Sequence, residues 1–318
     1  MADEFATLLR RWRLKPSRRP HTPGRNRARL CEGREGPVLV KLADPGLSLR
    51  TEAEALDACE GATHFSVPRC LYRSPSGDAL GIEWISHAPT LWNLRHRRKY
   101  PQALARRLGE AIAELHLGAL PIPRVPGSFD FGADLLWPTP DEYARSNPAS
   151  LELLARVQQD AAAPGVLEWL SSRAHFADLA RPLHGDLRQP NVLVTRRGVP
   201  VLIDWDQAGW GDPASDVGSL LGDYFTEYFV PTGGGLTLPK LRAFSGELLR
   251  TYLACFAPDE RLPLAIIGWA AVSLLRNASV MVLERGAMTR EASHLVEAGL
   301  VVLAQPREWL AGLTGVSA

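Results

Sequence analysis

A short β-hairpin with polar residues at both ends is the feature that most constrains this chain. The apolar runs Val192–Val194 and Val201–Ile203 are separated by a glycine turn, a pattern that predicts a hairpin. Asn191 precedes the hairpin, Asp204 follows it, and Asp186 lies just upstream. Because a hairpin brings its two ends together, we expect these polar side chains to converge.

Such a set of side chains suits one kind of chemistry. Asp and Asn oxygens suit a hard cation such as Mg²⁺, which takes few protein ligands and fills its shell with phosphates and water. A further carboxylate outside the metal shell, Asp186, can accept the proton of a hydroxyl group. With a cation to hold a nucleotide, these are the parts needed for phosphoryl transfer.

A strand and a helix are predicted in the first quarter of the chain. The run Pro37–Ala43 is strand-like and ends at a turn. A helix is expected from about Ser48 or Thr51 to Gly61, and Thr51 and Glu54 have the spacing of a capping box.

Lys41 on this strand and Glu52 on this helix are expected to form an ion pair. Glu52 shares a helix face with Ala55, Leu56 and Cys59, because positions three, four and seven apart lie on one side. That face is apolar, and a carboxylate on a buried face needs a partner.

The remaining pattern predicts an α+β fold with two lobes. Two more strand-like runs, Arg69–Tyr72 and Ala79–Ile85, complete a small β-rich amino-terminal lobe (1–86) with one helix. A larger, mainly helical lobe (87–318) carries the catalytic loop and acceptor site. Its predicted helices lie around Leu104–Leu115 and near 150–162, 165–180, 238–256, 262–285 and 289–312.

Composition excludes several classes of function. The 318-residue chain has a formal charge of +1, so no nucleic-acid or membrane partner is expected. Its four cysteines include no C-x-x-C pair and are interpreted as buried free thiols. The apolar stretch Leu262–Leu275 has 14 residues, fewer than the ~20 that span a bilayer, and indicates a core helix. The amino terminus does not resemble a secretion signal, so a cytoplasmic protein is expected.

The chain resembles the aminoglycoside phosphotransferase and choline kinase family, which has the protein-kinase-like fold. The resemblance lies in HGDLRQPN (184–191), the short hairpin and IDWDQAGWGDPASDVG (203–218). It is strong over residues 183–220 and moderate over 38–67 and 81–90. The resemblance implies an enzyme that transfers the γ-phosphate of ATP, or alternatively GTP, to an alcohol with the help of Mg²⁺.

The resemblance also implies roles for single residues of the larger lobe. Asp186 matches the catalytic aspartate that orients the acceptor hydroxyl, and Arg188 is a candidate for steadying the transferring phosphoryl group. Asn191 and Asp204 match the metal ligands. Asp216 matches a buried aspartate that braces the catalytic loop.

In the smaller lobe the resemblance implies a nucleotide site. Lys41 matches the lysine that holds the α- and β-phosphates, and Glu52 matches its helix-borne partner. Glu83 and Ile85 belong to the hinge segment Glu83-Trp84-Ile85, whose backbone would bind adenine. The chain departs from the family in its phosphate loop, because only the basic segment Thr22–Arg27 and two later glycines precede Lys41.

The acceptor is the most open question. Residues 224–318 carry eight acidic and eight basic side chains, whereas an aminoglycoside site would be acidic, so a small non-aminoglycoside alcohol is preferred. Nine Lys or Arg residues in 10–29 form a solvated basic arm, or a surface for phosphates or an acidic partner. That arm and the basic segment 95–99 would suit an acidic leader peptide. The alternatives are therefore a Ser/Thr kinase of a ribosomally made precursor peptide, with a partner lyase, and a pseudokinase scaffold.

Overall fold

The amino-terminal region is built on an antiparallel sheet with the strand order β1-β2-β3-β5-β4. Its strands are β1 (Lys15–Pro16), β2 (Arg27–Gly33), β3 (Gly36–Leu42), β4 (Cys70–Arg73) and β5 (Ala79–Glu83). This computed structural model describes residues 2–17, 27–44, 48–96, 101–118, 148–174, 179–231, 236–257 and 259–315. The small sheet region and the larger helical region that follows confirm the predicted fold class. The lobe boundary at residue 86 stays a prediction.

An amino-terminal helix, α1 (Ala2–Trp12), packs on this sheet. Leu9 and Leu14 are buried against Val38 of β3, and the ring of Trp12 stacks on Tyr72 with centroids 5.3 Å apart. The prediction of a solvated arm from residue 10 and of a single helix in this lobe is therefore wrong in part. The apolar side chains anchor the segment while its arginines stay exposed; residues 18–26 lie outside the described residues.

Helix α2 (Arg50–Ala58) follows β3 and buries Glu52 as predicted. The capping box predicted at Thr51 and Glu54 is wrong, because the helix begins one residue earlier and Thr51 already lies inside its first turn. The N-cap residue is Leu49, which makes no side-chain cap hydrogen bond, and the nearby Ser48 Oγ accepts the backbone N–H of Arg50 at 3.2 Å.

The segment after α2 attaches the sheet region to the helical region. Glu114, on helix α4 (Gln102–His116), accepts the backbone N–H groups of Thr63 at 2.8 Å and His64 at 2.7 Å. Ser66 then pairs with the predicted hairpin: its carbonyl accepts the N–H of Leu202 at 2.9 Å. A second segment, around Pro89, pairs with the other side of the same hairpin.

Besides α4, the helical region contains eight described helices. Its helices are α3 (Leu91–His96), α5 (Pro148–Gln159), α6 (Ala163–Ala174), α7 (Ala214–Phe229), α8 (Leu238–Cys255), α9 (Leu262–Arg285), α10 (Arg290–Ala304) and α11 (Pro306–Thr314). Two small sheets accompany them: β6 (Arg181–Leu183) with β9 (Gly209–Gly211), and β7 (Val192–Val194) with β8 (Pro200–Leu202).

Helix α9 lies at the centre of this region. Among the described helices it alone is long and apolar enough to cross a membrane, but 72% of its most apolar window is buried inside the fold. Trp269 and Leu274 of this helix are buried in the main hydrophobic core. This burial agrees with the predicted core helix.

Three details differ from the sequence prediction. The helix predicted over 289–312 is two helices, because Pro306 cannot donate a backbone hydrogen bond and starts a new helix after Gln305. The pairing of β6 with β9 was not predicted. All four cysteines are free, but Cys255 is exposed and Cys70 only partly buried, contrary to the prediction of buried thiols.

We expect Glu114→Ala to loosen the attachment between the two regions. The substitution leaves the N–H groups of Thr63 and His64 without their charged acceptor, and hydrogen bonds to charged groups contribute about 1.5–3 kcal/mol. The free energy of unfolding should fall by about 1–3 kcal/mol, with faster amide exchange at these two residues. Gln102→Ala, at an exposed position at the start of the same helix, is the control. Equal losses for both variants would contradict this interpretation.

Candidate active site

The loop between β6 and β7 is held in place by a buried carboxylate. Asp216, in the first turn of α7, accepts the backbone N–H of His184 at 2.7 Å and that of Gly185 at 3.0 Å. The loop therefore takes its position from helix α7, which is the arrangement expected for Asp216.

Two residues missed by the sequence analysis orient this carboxylate. His116 Nε2 lies 3.3 Å from Asp216 Oδ2, and His116 Nδ1 lies 2.8 Å from the hydroxyl of Tyr252. Burial, then Asp216, raises the pKa of Tyr252 well above its ordinary value, so the phenol keeps its proton and donates to Nδ1. His116 then carries its proton on Nε2 and donates to Asp216. In the sequence, only the place of His116 on an apolar helix face hinted at this contact.

Asn191 fixes the side chain of Asp186. Its Nδ2 donates to Asp186 Oδ2 at 2.8 Å and to the Asp186 carbonyl at 2.9 Å. The Oδ1 atoms of both side chains are left for other partners. Asp186 is partly exposed, so its free oxygen is accessible to a ligand.

The two sides of the hairpin are joined just beside Asn191. The carbonyl of Asn191 accepts the N–H of Ile203 at 3.0 Å, and the Ile203 carbonyl lies 2.9 Å from His184 Nε2. Asp204 comes next in the chain. The predicted convergence of the two ends of the hairpin is present in the backbone.

Lys41 joins both regions of the protein. Its Nζ donates to Glu52 Oε1 at 2.7 Å, as predicted, and also contacts Asp204 Oδ1. The side chains of Lys41 and Glu52 are buried, whereas that of Asp204 is 39% exposed. One ammonium group thus connects β3, α2 and the segment after the hairpin.

Burial and charge act against each other at this cluster. Burial favours the neutral amine of Lys41, but Glu52 and Asp204 outweigh it and raise the pKa of the lysine above its ordinary value. Burial raises the pKa of Glu52, and Lys41 opposes that rise. The lysine is therefore the charge that favours the ionised form of Glu52 against burial.

Asn191 and Asp204 fit a hard cation by the chemistry of their donors. An amide oxygen and a carboxylate oxygen are what Mg²⁺ or Ca²⁺ takes from proteins. No group of three or more His, Cys, Asp or Glu side chains gathers anywhere in the described part of the chain. A cation held here would therefore need further oxygen ligands from a nucleotide or water.

Arg188 points to partners on two helices. Its Nη2 donates to Asp223 Oδ1 on α7 at 3.2 Å and to Asn277 Oδ1 on α9 at 2.9 Å. Neither partner was singled out from the sequence, because nothing in their spacing relates them to the loop.

The predicted hinge follows the last strand of the sheet. The N–H of Glu83 is already donated to the Arg69 carbonyl at 2.9 Å, and the N–H of Trp84 to the Pro37 carbonyl at 3.0 Å. The side chain of Glu83 contacts Arg69 Nε at 3.2 Å. Of the predicted hinge groups, Ile85 thus remains the candidate N–H donor to a ligand.

The predicted phosphate-loop segment Thr22–Arg27 lies mostly outside the described residues. Of this segment, only Arg27, at the start of β2, is described.

The chain matches a family model and several solved structures. The model described as "Phosphotransferase enzyme family" matches residues 20–262. None of the curated protein sequences matches significantly. A choline/ethanolamine kinase family protein from Mesorhizobium loti is 19% identical, with a TM-score of 0.58 over 95% of this chain and 92% of that one.

Two further solved structures share the fold. Amicoumacin kinase hAmiN, solved with AMP-PNP and Ca²⁺, is 13% identical, with a TM-score of 0.65 over 95% of this chain and 94% of that one. A microcompartment-associated aminopropanol kinase is 15% identical, with a TM-score of 0.59 over 99% and 100% of the two chains. At these identities the similarity establishes the protein-kinase-like fold.

We expect Gly185→Ala to displace the loop that carries Asp186. Gly185 has φ +81°, and an added Cβ would lie 2.0 Å from the carbonyl oxygen of Gln207. Gly118→Ala is the matched control, because Gly118 has φ +73° but open space around it. The control should lose about 1–2 kcal/mol of unfolding free energy from backbone strain alone. Gly185→Ala should lose clearly more unfolding free energy than the control. Equal losses would show that the loop accommodates the added methyl group without further cost.

We expect Lys41→Met to make stability depend on pH through Glu52. Without Lys41 the folded-state pKa of Glu52 rises further above its unfolded value. The stability that Glu52 contributes is then present at low pH and is lost as the pH rises through the folded-state pKa. Breaking a buried pair costs about 3–5 kcal/mol, so the deficit relative to wild type should be larger at about pH 8 than at about pH 5.

The double variant Lys41→Met/Glu52→Gln provides the control for this experiment. It has no carboxyl group at position 52, so its deficit should vary little with pH. Urea titrations at the two pH values give the unfolding free energies. A Lys41→Met deficit that is the same at both would contradict the assignment.

Proposed function

This chain belongs to the phosphotransferase enzyme family, and from that premise we propose that it is an ATP-dependent kinase acting on the hydroxyl group of a small-molecule, non-aminoglycoside alcohol. The observation that carries the proposal is the position of Asp186. Its carboxylate is fixed by Asn191 and keeps one oxygen free. The carbonyl of Asn191 bonds to Ile203, the residue before Asp204, and Asp204 contacts Lys41.

Asp186 is the proposed catalytic residue. Its free Oδ1 would accept a hydrogen bond from the acceptor hydroxyl and align that oxygen with the γ-phosphate. Phosphoryl transfer depends mainly on positioning and electrostatics, because its transition state is loose. The bond from Asn191 holds the carboxylate in one orientation, and Asp216 holds the backbone that carries it.

The nucleotide is proposed to bind between the sheet and the loop. Lys41, kept charged by Glu52, would hold the α- and β-phosphates, and the backbone at Glu83 and Ile85 would bind the purine of ATP or, alternatively, GTP. Asn191 and Asp204 would hold Mg²⁺, which neutralises phosphate charge when bound. Because Lys41 contacts Asp204 here, the lysine has to share that carboxylate with the cation.

The acceptor is proposed to be a small alcohol. The three kinases compared above are named for ethanolamine or choline, amicoumacin and aminopropanol, and none is named for a peptide. The balanced charge of residues 224–318 favours a neutral or singly charged alcohol over a polycation. We also propose that the enzyme is cytoplasmic.

We expect Asp186→Asn to lower kcat by about 10²–10⁴, the usual contribution of a positioned general base. The variant keeps the size of the side chain but loses its charge and its proton-accepting oxygen. ATP affinity should change little, because Lys41, Asn191 and Asp204 remain. Turnover is measured with choline, ethanolamine, 1-amino-2-propanol and simple polyols, and nucleotide affinity by calorimetry.

Glu54→Gln is the control for this variant, since Glu54 is an exposed carboxylate on the outer face of α2. It should keep wild-type turnover. Full activity of Asp186→Asn would remove the catalytic assignment. A wild-type protein that binds ATP but phosphorylates no alcohol would instead favour the pseudokinase alternative.

A further inference from the structure

A polar network joins Arg188 to two helices beside the catalytic loop. Arg188 lies two residues after Asp186, and its Nη2 donates to both Asp223 and Asn277. Its side chain is 36% exposed, so part of it is accessible to solvent. The network therefore holds one edge of the group and leaves the rest available.

Both partners of Arg188 are themselves fixed. Asp223 is buried, and its other oxygen accepts the backbone N–H of Gln189 at 2.8 Å. Asn277 donates from Nδ2 to Thr226 Oγ1 at 2.8 Å, which turns its oxygen towards Arg188. Because other hydrogen bonds hold both partners in place, they favour one orientation of the Arg188 side chain.

The guanidinium of Arg188 has N–H donors that Asp223 and Asn277 do not use. It carries five N–H groups, and the two on Nη2 are used by Asp223 and Asn277. The Nε atom of Arg188 is buried and has no hydrogen-bond partner among the described residues. A buried N–H without a partner is costly. A ligand oxygen that reaches this side of the guanidinium would therefore be bound well.

Asp186 is the competing partner that the network excludes. Arg188 follows Asp186 by only two residues in the chain. The negative charge of Asp223, opposed by burial, raises the pKa of Arg188, and Asp186 adds to that rise. If the arginine swung onto Asp186, it would occupy the oxygen proposed to receive the acceptor hydroxyl. The hydrogen bonds to Asp223 and Asn277 occupy Nη2 and oppose such a swing. Asn277 does so without adding a negative charge that would repel a phosphate.

We propose that Asp223 and Asn277 are positioning residues that keep Arg188 off Asp186 and direct its free N–H groups to the transferring phosphoryl group. The inference rests on the proposed function, because it takes the γ-phosphate as the ligand. Asn277 is the more informative of the two, since Asp223 also holds the catalytic-loop backbone.

The test compares affinities for AMP-PNP and ADP with Mg²⁺, because only AMP-PNP carries a γ-phosphoryl group. Wild type should bind AMP-PNP more tightly than ADP. Asn277→Asp keeps the shape but adds a second carboxylate to the arginine, and should reduce this preference on the order of tenfold, the scale of one charge-assisted hydrogen bond. Arg188→Met should reduce it at least as much.

The double variant Arg188→Met/Asn277→Asp decides whether Asn277 acts through the arginine. If it does, the double variant shows the same preference as Arg188→Met alone, since the effects of coupled residues do not add. If Asn277→Asp does not fold, Thr226→Val is used in its place, alone and combined with Arg188→Met. This substitution removes the hydroxyl that holds the amide of Asn277. Arg276→Met removes the neighbouring arginine as a control and should leave the preference unchanged.

Several results would overturn the inference. An effect of Asn277→Asp that persists in the Arg188→Met background would show that it acts independently of the arginine. An unchanged AMP-PNP preference in Arg188→Met would assign the arginine to the acceptor or to structure. Equal wild-type affinities for the two nucleotides would defeat this inference alone, whereas absence of any nucleotide binding would defeat the proposed function.

Discussion

The buried carboxylate of Asp216 is the interaction on which the rest of the site depends. It lies in the first turn of α7, where the helix dipole favours a negative charge, and it accepts two backbone N–H groups from the loop that carries Asp186. Burying a carboxylate is costly unless it is hydrogen-bonded. Here the same bonds that offset the cost also fix the loop. His116 and Tyr252 extend the arrangement to α4 and α8, so three helices determine where one loop lies.

Sequence reasoning succeeded where the determinants are local. The inward face of Glu52 follows from helix periodicity, and the approach of Asn191 to the segment of Asp204 follows from the short hairpin between them. The family resemblance supplied the roles, which stay predictions for every site residue. The fold class also followed from the succession of strand-like and helical patterns.

It failed where the partner is distant in the chain or hidden by composition. The oxygen of Asn277 meets Arg188 across 89 positions, and no periodicity connects them. His116 and Asp216 are likewise separated by 100 positions. Helix α1 was missed because its last turn contains Arg10 and Arg11, the start of the basic run that suggested a solvated arm. In each case packing, which sequence spacing does not encode, decides the contact.

The attachments of the hairpin have a mechanical consequence. Ser66 pairs with β8 on one side, and the segment at Pro89 and Thr90 pairs with β7 on the other. The hairpin is therefore held from both sides by segments that flank the sheet region, and Asn191 and Asp204 lie at its two ends. A change that displaced the hairpin would displace these two side chains together and would also alter the contact of Asp204 with Lys41.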